Sequence, residues 1–325
     1  MPSEFELIAR HFQRPARSAD LGVGDDAALV RVSAGNQLVV STDMLVEGTH
    51  FLAGADPRQL GWKTIAVSVS DLAAMAAQPR WATLAISLPD DDDAWLAAFA
   101  DGVFACCASF DVELVGGDTT RGPRNLCATL FGEVPAGQAV TRAGARPGDD
   151  IWISGQPGRA ALALTDLLGG QGLAAACRQD FVEALHGPRP RLALGIALRG
   201  LASAMLDVSD GLLGDLAHIL ERSQVGARLF DRLLPLQALI EGGVGEEHAR
   251  RALLGGGDDY ELLFCAAPSL RGRISGLAEA VCTPLHRVGT VLAEAGRLEL
   301  EVGDGACRPL APIGFRHFTG ERDDY

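Results

Sequence analysis

Leu114-Val115-Gly116-Gly117-Asp118-Thr119-Thr120-Arg121-Gly122 is a short apolar run that ends in two glycines and then a carboxylate. Glycine ahead of the carboxylate lets the backbone come close to a neighbour and exposes N–H groups to an anion. The same local order recurs along the chain. It is seen in Val39-Val40-Ser41-Thr42-Asp43, Val69-Ser70-Asp71, Leu206-Asp207-Val208-Ser209-Asp210 and Leu253-Leu254-Gly255-Gly256-Gly257-Asp258-Asp259, with a sixth station at Gly24-Asp25-Asp26. Taken alone, an aspartate after an apolar run is usually a turn residue or a helix cap. Asp210, for one, could simply cap a helix through Leu212, Leu213, Leu216 and Ile219. Six stations of one chemistry weaken that reading. Carboxylates without histidine or cysteine suit a hard cation such as magnesium, held by a few carboxylates, phosphate oxygens and water, rather than zinc.

Working outward, the pattern predicts strands and helices mixed through the chain. Residues 3–12 read as an amphipathic helix, with Ser3 and Glu6 as a capping box and Phe5, Ile8 and Phe12 on one face. Strand patterns follow at 28–30 and 38–43. Asp56-Pro57 is a helix start, and Pro79 closes the alanine-rich segment after it. Asp90 to Asp93 read as the negative N-terminus of a helix that continues through Trp95, Phe99, Val103 and Cys106, so these four are set aside as ligands. Further strands are expected at 112–115 and 126–134. The turn-rich Gly144-Ala145-Arg146-Pro147-Gly148-Asp149-Asp150 is the predicted break between an N-terminal domain, 1–143, and a C-terminal domain, 144–325. Helices near 158–169, 189–200 and 212–222, with strands near 226–230, 260–266, 285–291 and 297–302, complete an α/β (α+β mixed) two-domain chain.

Composition narrows the function classes. The chain has 325 residues, 48% hydrophobic and 22% charged, within the globular range. Lys+Arg number 28 against Asp+Glu 42, a net charge of -14, which disfavours nucleic acid as a partner. No run approaches the roughly 18 apolar residues of a membrane helix, and the N-terminus lacks the pattern of a secretory signal. The seven cysteines form no C-x-x-C pair and read as reduced thiols of a cytoplasmic protein. Lys63 is the only lysine, and no phosphate-binding P-loop motif exists. A nucleotide would therefore have to be held by metal ions, arginine or backbone N–H groups.

At these residues the sequence resembles thiamine-monophosphate kinase, of the aminoimidazole ribonucleotide synthetase-like superfamily. The resemblance runs from Phe5-Glu6-Leu7-Ile8 to Gly314-Phe315-Arg316-His317-Phe318. It is carried by the stations above together with His50-Phe51, Thr141-Arg142, Ser70-Asp71-Leu72-Ala73-Ala74-Met75 and Gly257-Asp258-Asp259-Tyr260-Glu261-Leu262. It implies an N-terminal domain that forms a dimer sheet, a C-terminal α/β domain, a homodimer, and transfer of phosphate from ATP to thiamine monophosphate. It further implies that Asp26, Ser41, Thr42, Asp43, Asp71, Asp118, Asp207 and Asp210 hold several magnesium ions. Gly117, Asp118, Arg142 and Ser209 would contact ATP, and His50, Asp258 and Phe315 the thiamine monophosphate. Asp258 stands where the family usually has Glu, and Phe315 where it often has Tyr or Trp. No residue is assigned as nucleophile or base. Two alternatives stay open: another ATP-dependent member of the superfamily, such as a ligase, and a nucleotide-binding regulator that has lost turnover.

Overall fold

The computed structural model describes residues 4–170, 172–303, 305–315 and 317. It divides into two compact units, Met1–Ala139 and Val140–Tyr325.

The first unit runs α1 (Glu4–His11), β1 (Asn36–Val46), α2 (Pro57–Ala74), β2 (Gln78–Leu88), α3 (Asp93–Ser109), β3 (Glu113–Arg121) and β4 (Asn125–Pro135). The strands form one sheet in the order β1-β4-β2-β3. β4 is antiparallel to both β1 and β2, whereas β2 and β3 are parallel, joined by the helical crossover that parallel strands need. Alternate residues of β4 are buried, so one face of the sheet carries the core. Asp56 caps α2 through Gln59 N, with Pro57 in its first turn, and Asp92 caps α3 through Ala94 N and Trp95 N. The two helices touch backbone to backbone. A Cβ on Gly61 would lie 2.0 Å from Phe99 O, and one on Gly102 would lie 1.9 Å from Arg58 O. That close crossing sets the line of α2, whose last turn carries Asp71.

The second unit runs β5 (Asp150–Ser154), α4 (Arg159–Leu167), α5 (Ala175–His186), α6 (Leu192–Ala197), β6 (Ala204–Val208), α7 (Leu212–Ser223), β7 (Gly226–Phe230), α8 (Gln237–Glu241), α9 (Glu246–Gly255), β8 (Glu261–Ala266), α10 (Arg271–Ala280), β9 (Leu285–Leu292), β10 (Leu298–Glu301) and β11 (Cys307–Pro309). Among the described residues its sheet runs β11-β10-β7-β9-β5-β8-β6. Every residue of β5, β6 and β8 is buried, as in strands covered on both faces. Ile151, Ile153, Leu206, Val208 and Leu263 of these strands pack with Leu213, Leu216 and Ile219 of α7.

Several expectations need correction. Ala28-Leu29-Val30 is not a strand; Leu29 makes only an isolated bridge with Leu21. Phe5 does not join the buried face of α1; it is 79% exposed, whereas Phe12 is buried as expected, together with Leu7 and His11. Ser3, of the expected capping box, lies outside the described residues. The helix expected over 189–200 is only Leu192–Ala197, because Pro188 and Pro190 keep the preceding residues extended. All seven cysteines are free thiols, Cys282 and Cys307 exposed and Cys106, Cys107 and Cys265 buried. Among the described residues no helix is long and apolar enough to cross a membrane.

Candidate active site

Period-two alternation puts Ser41 and Asp43 of β1 on the same face of the sheet, toward α2. Ser68 Oγ, in α2, donates to Asp43 Oδ2 at 2.6 Å, and Ser41 Oγ donates to Asp71 Oδ2. Asp43 and Asp71, 28 residues apart in sequence, are thereby brought into one cluster. The cluster is electrostatically uncomfortable. Burial first, and then the Asp71 charge, push the Asp43 carboxyl up to about 6. Asp71 also sits in the last turn of α2, where the helix dipole is negative and no basic residue lies. Thr42 points to the other face, where its hydroxyl meets that of Thr129 at 2.9 Å. Asp118 lies two strands beyond β4, in register with Ala85 of β2 and exposed. Its neighbour Gly117 has φ +153°, and a Cβ there would strike Leu84 O at 1.9 Å. Only glycine lets β3 lie this close to β2.

Asp26 is on an exposed loop whose base is closed by the Leu21–Leu29 bridge. Two glutamates pin the flanks of that loop. Glu113 accepts from Arg17 N, Ser18 N, Ser18 Oγ and Ala19 N, and Glu133 accepts from Ser33 N and Asn36 Nδ2. Nothing in their spacing marked them, since both read as ordinary strand residues. His50 follows β1 in a turn, and its Nδ1 accepts from Val46 N at 3.0 Å. That bond puts the neutral ring's proton on Nε2.

In the second unit three chain segments are laced together by backbone bonds. Asp258 N donates to Ser209 O at 2.8 Å, Tyr260 N to Val208 O at 2.8 Å, and Phe315 N to Asp210 O at 2.9 Å. Ser209, Asp210, Asp258 and Phe315 are thus neighbours. The buried Asp207 precedes them on β6, paired with Leu262 of β8. Gly257 is required here, because a Cβ would lie 2.5 Å from Ser209 O. Asp258 has φ +66°, and its Oδ1 accepts from Tyr260 Oη at 3.0 Å. Burial raises the Asp210 carboxyl, while His317, His218 and Arg142 draw it back, which places Arg142 within electrostatic reach.

Sequence reasoning missed Asp215. Its Oδ2 accepts from the N–H groups of Ser209, Asp210 and Gly211, each at 3.1 Å. Burial, and next the Asp210 charge, push it up to about 7. In a helix with a clear apolar stripe, Asp215 reads as a polar-face residue. The only available signal was an acid four positions after a glycine that follows two site residues. Glu261 was also missed. It takes Arg191 Nε and Nη2 at 2.6 and 2.5 Å and Ser154 Oγ at 2.6 Å, anchoring β8 just after Asp258. A cavity of about 280 Å³ lies beside it, among Gln156, Arg159, Arg191 and Asp259; none of the predicted site residues lines it.

Among the described residues no group of three or more His, Cys, Asp or Glu side chains already forms a metal cage. The Asp43–Asp71 cluster nevertheless fits magnesium. Its donors are all oxygen, its two carboxylates are close together, and burial followed by the Asp71 charge makes Asp43 resist ionising.

Residues 24–134 match the family model described as AIR synthase related protein, N-terminal domain. Thiamine-monophosphate kinase of Escherichia coli K12 is 43% identical over 320 residues, covering 97% of this chain and 98% of the relative. The crystal structure of thiamine-monophosphate kinase from Stenotrophomonas maltophilia K279a is 43% identical, with a TM-score of 0.82 over 93% of this chain and 95% of that one. A structure described as AaThiL complexed with AMPPCP and TMP is 30% identical, with a TM-score of 0.77 over 91% and 92%.

The raised Asp43 carboxyl gives a test without turnover. Its folded value near 6 exceeds the ordinary 3.8, so the metal-free fold loses stability as pH rises from about 3.8 to about 6. Asp43→Asn removes that penalty. In EDTA at pH 7.5 the variant is expected to melt a few degrees higher than the parent, about 2–3 kcal/mol at most, with the gain shrinking toward pH 4. A lower melting temperature at pH 7.5 would show that the carboxylate is already compensated by the protein.

Proposed function

The chain belongs to the thiamine-monophosphate kinase family, and we propose that its aspartate stations hold the magnesium ions and nucleotide of that reaction. The reaction is ATP-dependent phosphorylation of thiamine monophosphate, giving thiamine diphosphate and ADP. The observation that carries the reading is the Asp43–Asp71 confrontation, which a divalent cation would relieve.

In the first unit Asp26, Ser41, Thr42, Asp43, Asp71 and Asp118 are the proposed ligands, and in the second unit Asp207 and Asp210. Bound magnesium would supply charge neutralisation between two phosphate anions and along the transferring group. The Gly117 and Asp118 backbone, Arg142 and Ser209 would orient ATP. His50, Asp258 and Phe315 would orient thiamine monophosphate, Phe315 by stacking and His50 through an Nε2–H fixed by the Val46 bond. The acceptor phosphate is already largely ionised near neutral pH, so direct in-line transfer needs no strong base, and no side chain is given that role. Positioning and electrostatics carry the rate.

We also propose a homodimer. β1 is an edge strand, and Leu38, Val40 and Met44 on its outer face are 41%, 53% and 52% exposed. An edge with apolar side chains invites pairing with a second copy. Seven free thiols accord with a reducing, cytoplasmic setting.

Purified protein given ATP, thiamine monophosphate and magnesium is expected to form thiamine diphosphate, measured by chromatography. EDTA should stop it, and Asp71→Ala should slow it by about 100-fold or more. Metal-independent product, or an unaffected Asp71→Ala, would refute the metal assignment. For the dimer, light scattering should give twice the chain mass for the parent and a monomer for Val40→Asp. A monomeric parent would remove the edge-strand interface.

A further inference from the structure

We propose that Asp215 is a positioning residue for phosphoryl transfer: its buried carboxylate dictates the course of the Ser209-Asp210-Gly211 turn and so the placement of the Asp210 carboxylate and the Ser209 hydroxyl. The proposal rests on the reading that Asp210 holds magnesium and Ser209 contacts ATP.

The geometry is specific. Three consecutive N–H groups converge on one oxygen, Asp215 Oδ2, each at 3.1 Å. Successive N–H groups turned inward in this way form a concavity that elsewhere receives a phosphate or another anion. Here the concavity is filled by the protein's own carboxylate, reaching back from the first turn of α7. The helix start offers no other side chain for the task. Its N-cap is Gly211, at φ +123°, with no side-chain cap bond. A Cβ at Gly211 would lie 2.7 Å from Gly255 O, so the turn is wedged against the end of α9 as well. Asp215 is only 4% exposed, so water does not substitute readily for its oxygen.

Two consequences follow for the chemistry. With the three amides committed to Asp215, the turn presents side chains rather than N–H groups to a ligand. Ser209 therefore meets ATP through its hydroxyl, and Asp210 turns its own carboxylate outward while its amide faces inward. The fixed turn also holds the Asp210 carboxylate in one orientation, so a cation meets a preformed ligand rather than one it must order. Partners behind metal ligands commonly govern affinity by about 10- to 100-fold.

A merely structural role would change stability and leave the metal requirement alone, so the test reads the Mn²⁺ dissociation constant by electron paramagnetic resonance together with the magnesium concentration giving half-maximal activity at saturating ATP, the two being expected to move together. Asp215→Ala, confirmed folded by circular dichroism, is expected to need about tenfold more magnesium than the parent, and Asp215→Asn, which keeps an acceptor oxygen, to recover part of that loss. Asp215→Glu guards against a variant that does not fold. It keeps the charge but pushes the turn outward by one methylene, and is expected to raise the requirement at least several-fold. Folded Ala or Glu variants with the parental magnesium requirement would overturn the proposal. Asp210→Asn run alongside separates the two levels. A raised requirement in Asp210→Asn alone overturns only the positioning role of Asp215. An unchanged requirement in Asp210→Asn overturns the metal assignment of Asp210, and the present proposal with it.

Discussion

Two carboxylates, Asp43 of β1 and Asp71 of α2, meet at one face of a sheet edge, where burial and the Asp71 charge disfavour the negative charge of Asp43. The α2–α3 crossing fixes the helix, the β1–β4 register fixes the strand, and Ser41 and Ser68 tie the acids across the gap. Left to itself, such a pair raises a carboxyl and weakens the fold. The divalent cation proposed above would relieve that repulsion. The known relatives, kinases of thiamine monophosphate, act on a reaction whose obstacle is also negative charge meeting negative charge. Destabilised acids at the site and anionic substrates are two sides of one electrostatic problem.

A second group of acids behaves differently. Glu113, Glu133, Asp215 and Asp259 each accept from backbone N–H groups, and Glu261 closes on Arg191. These carboxylates shape loops. Glu113 and Glu133 hold the flanks of the Asp26 loop, Asp215 holds the Ser209–Gly211 turn, and Asp259 caps the chain entering α4. An acidic chain with net charge -14 thus uses its acids for two tasks, fixing the backbone and facing a ligand. What separates them is the partner: backbone amides or an arginine in the first case, a second carboxylate at Asp43 in the second.

The site was more legible in the sequence than its support. Aspartates after apolar runs, with glycine or serine beside them, announce themselves because hydrophobic periodicity ends abruptly there. Gly117 and Gly257 are visible for the same reason, and both prove to be close backbone approaches. The α2 helix was readable from Asp56-Pro57 although Ile65, Val67 and Val69 alternate like a strand, because length and capping outweigh a short alternation. Strand β2 was hidden. Pro79 reads as a breaker, yet it occupies the second residue of the strand beside a register shift, where a missing N–H is tolerated. Glu113 and Glu133 carried no signal, since a carboxylate that accepts from a distant backbone amide looks like any surface acid until the chain is folded, and Asp215 offered only its place four positions after Gly211. Ala28-Leu29-Val30 failed for the complementary reason: alternation alone does not make a strand when no neighbour runs alongside it.

The most direct measurement is binding of Mn²⁺, as a spectroscopic stand-in for magnesium, followed by electron paramagnetic resonance in the presence of a non-hydrolysable ATP analogue. The parent protein should take up more than one ion per chain, and Asp43→Asn combined with Asp71→Asn should lose at least one of them while remaining folded. Equal uptake by the parent and the double variant would contradict the claim that this strained carboxylate pair exists to hold a metal.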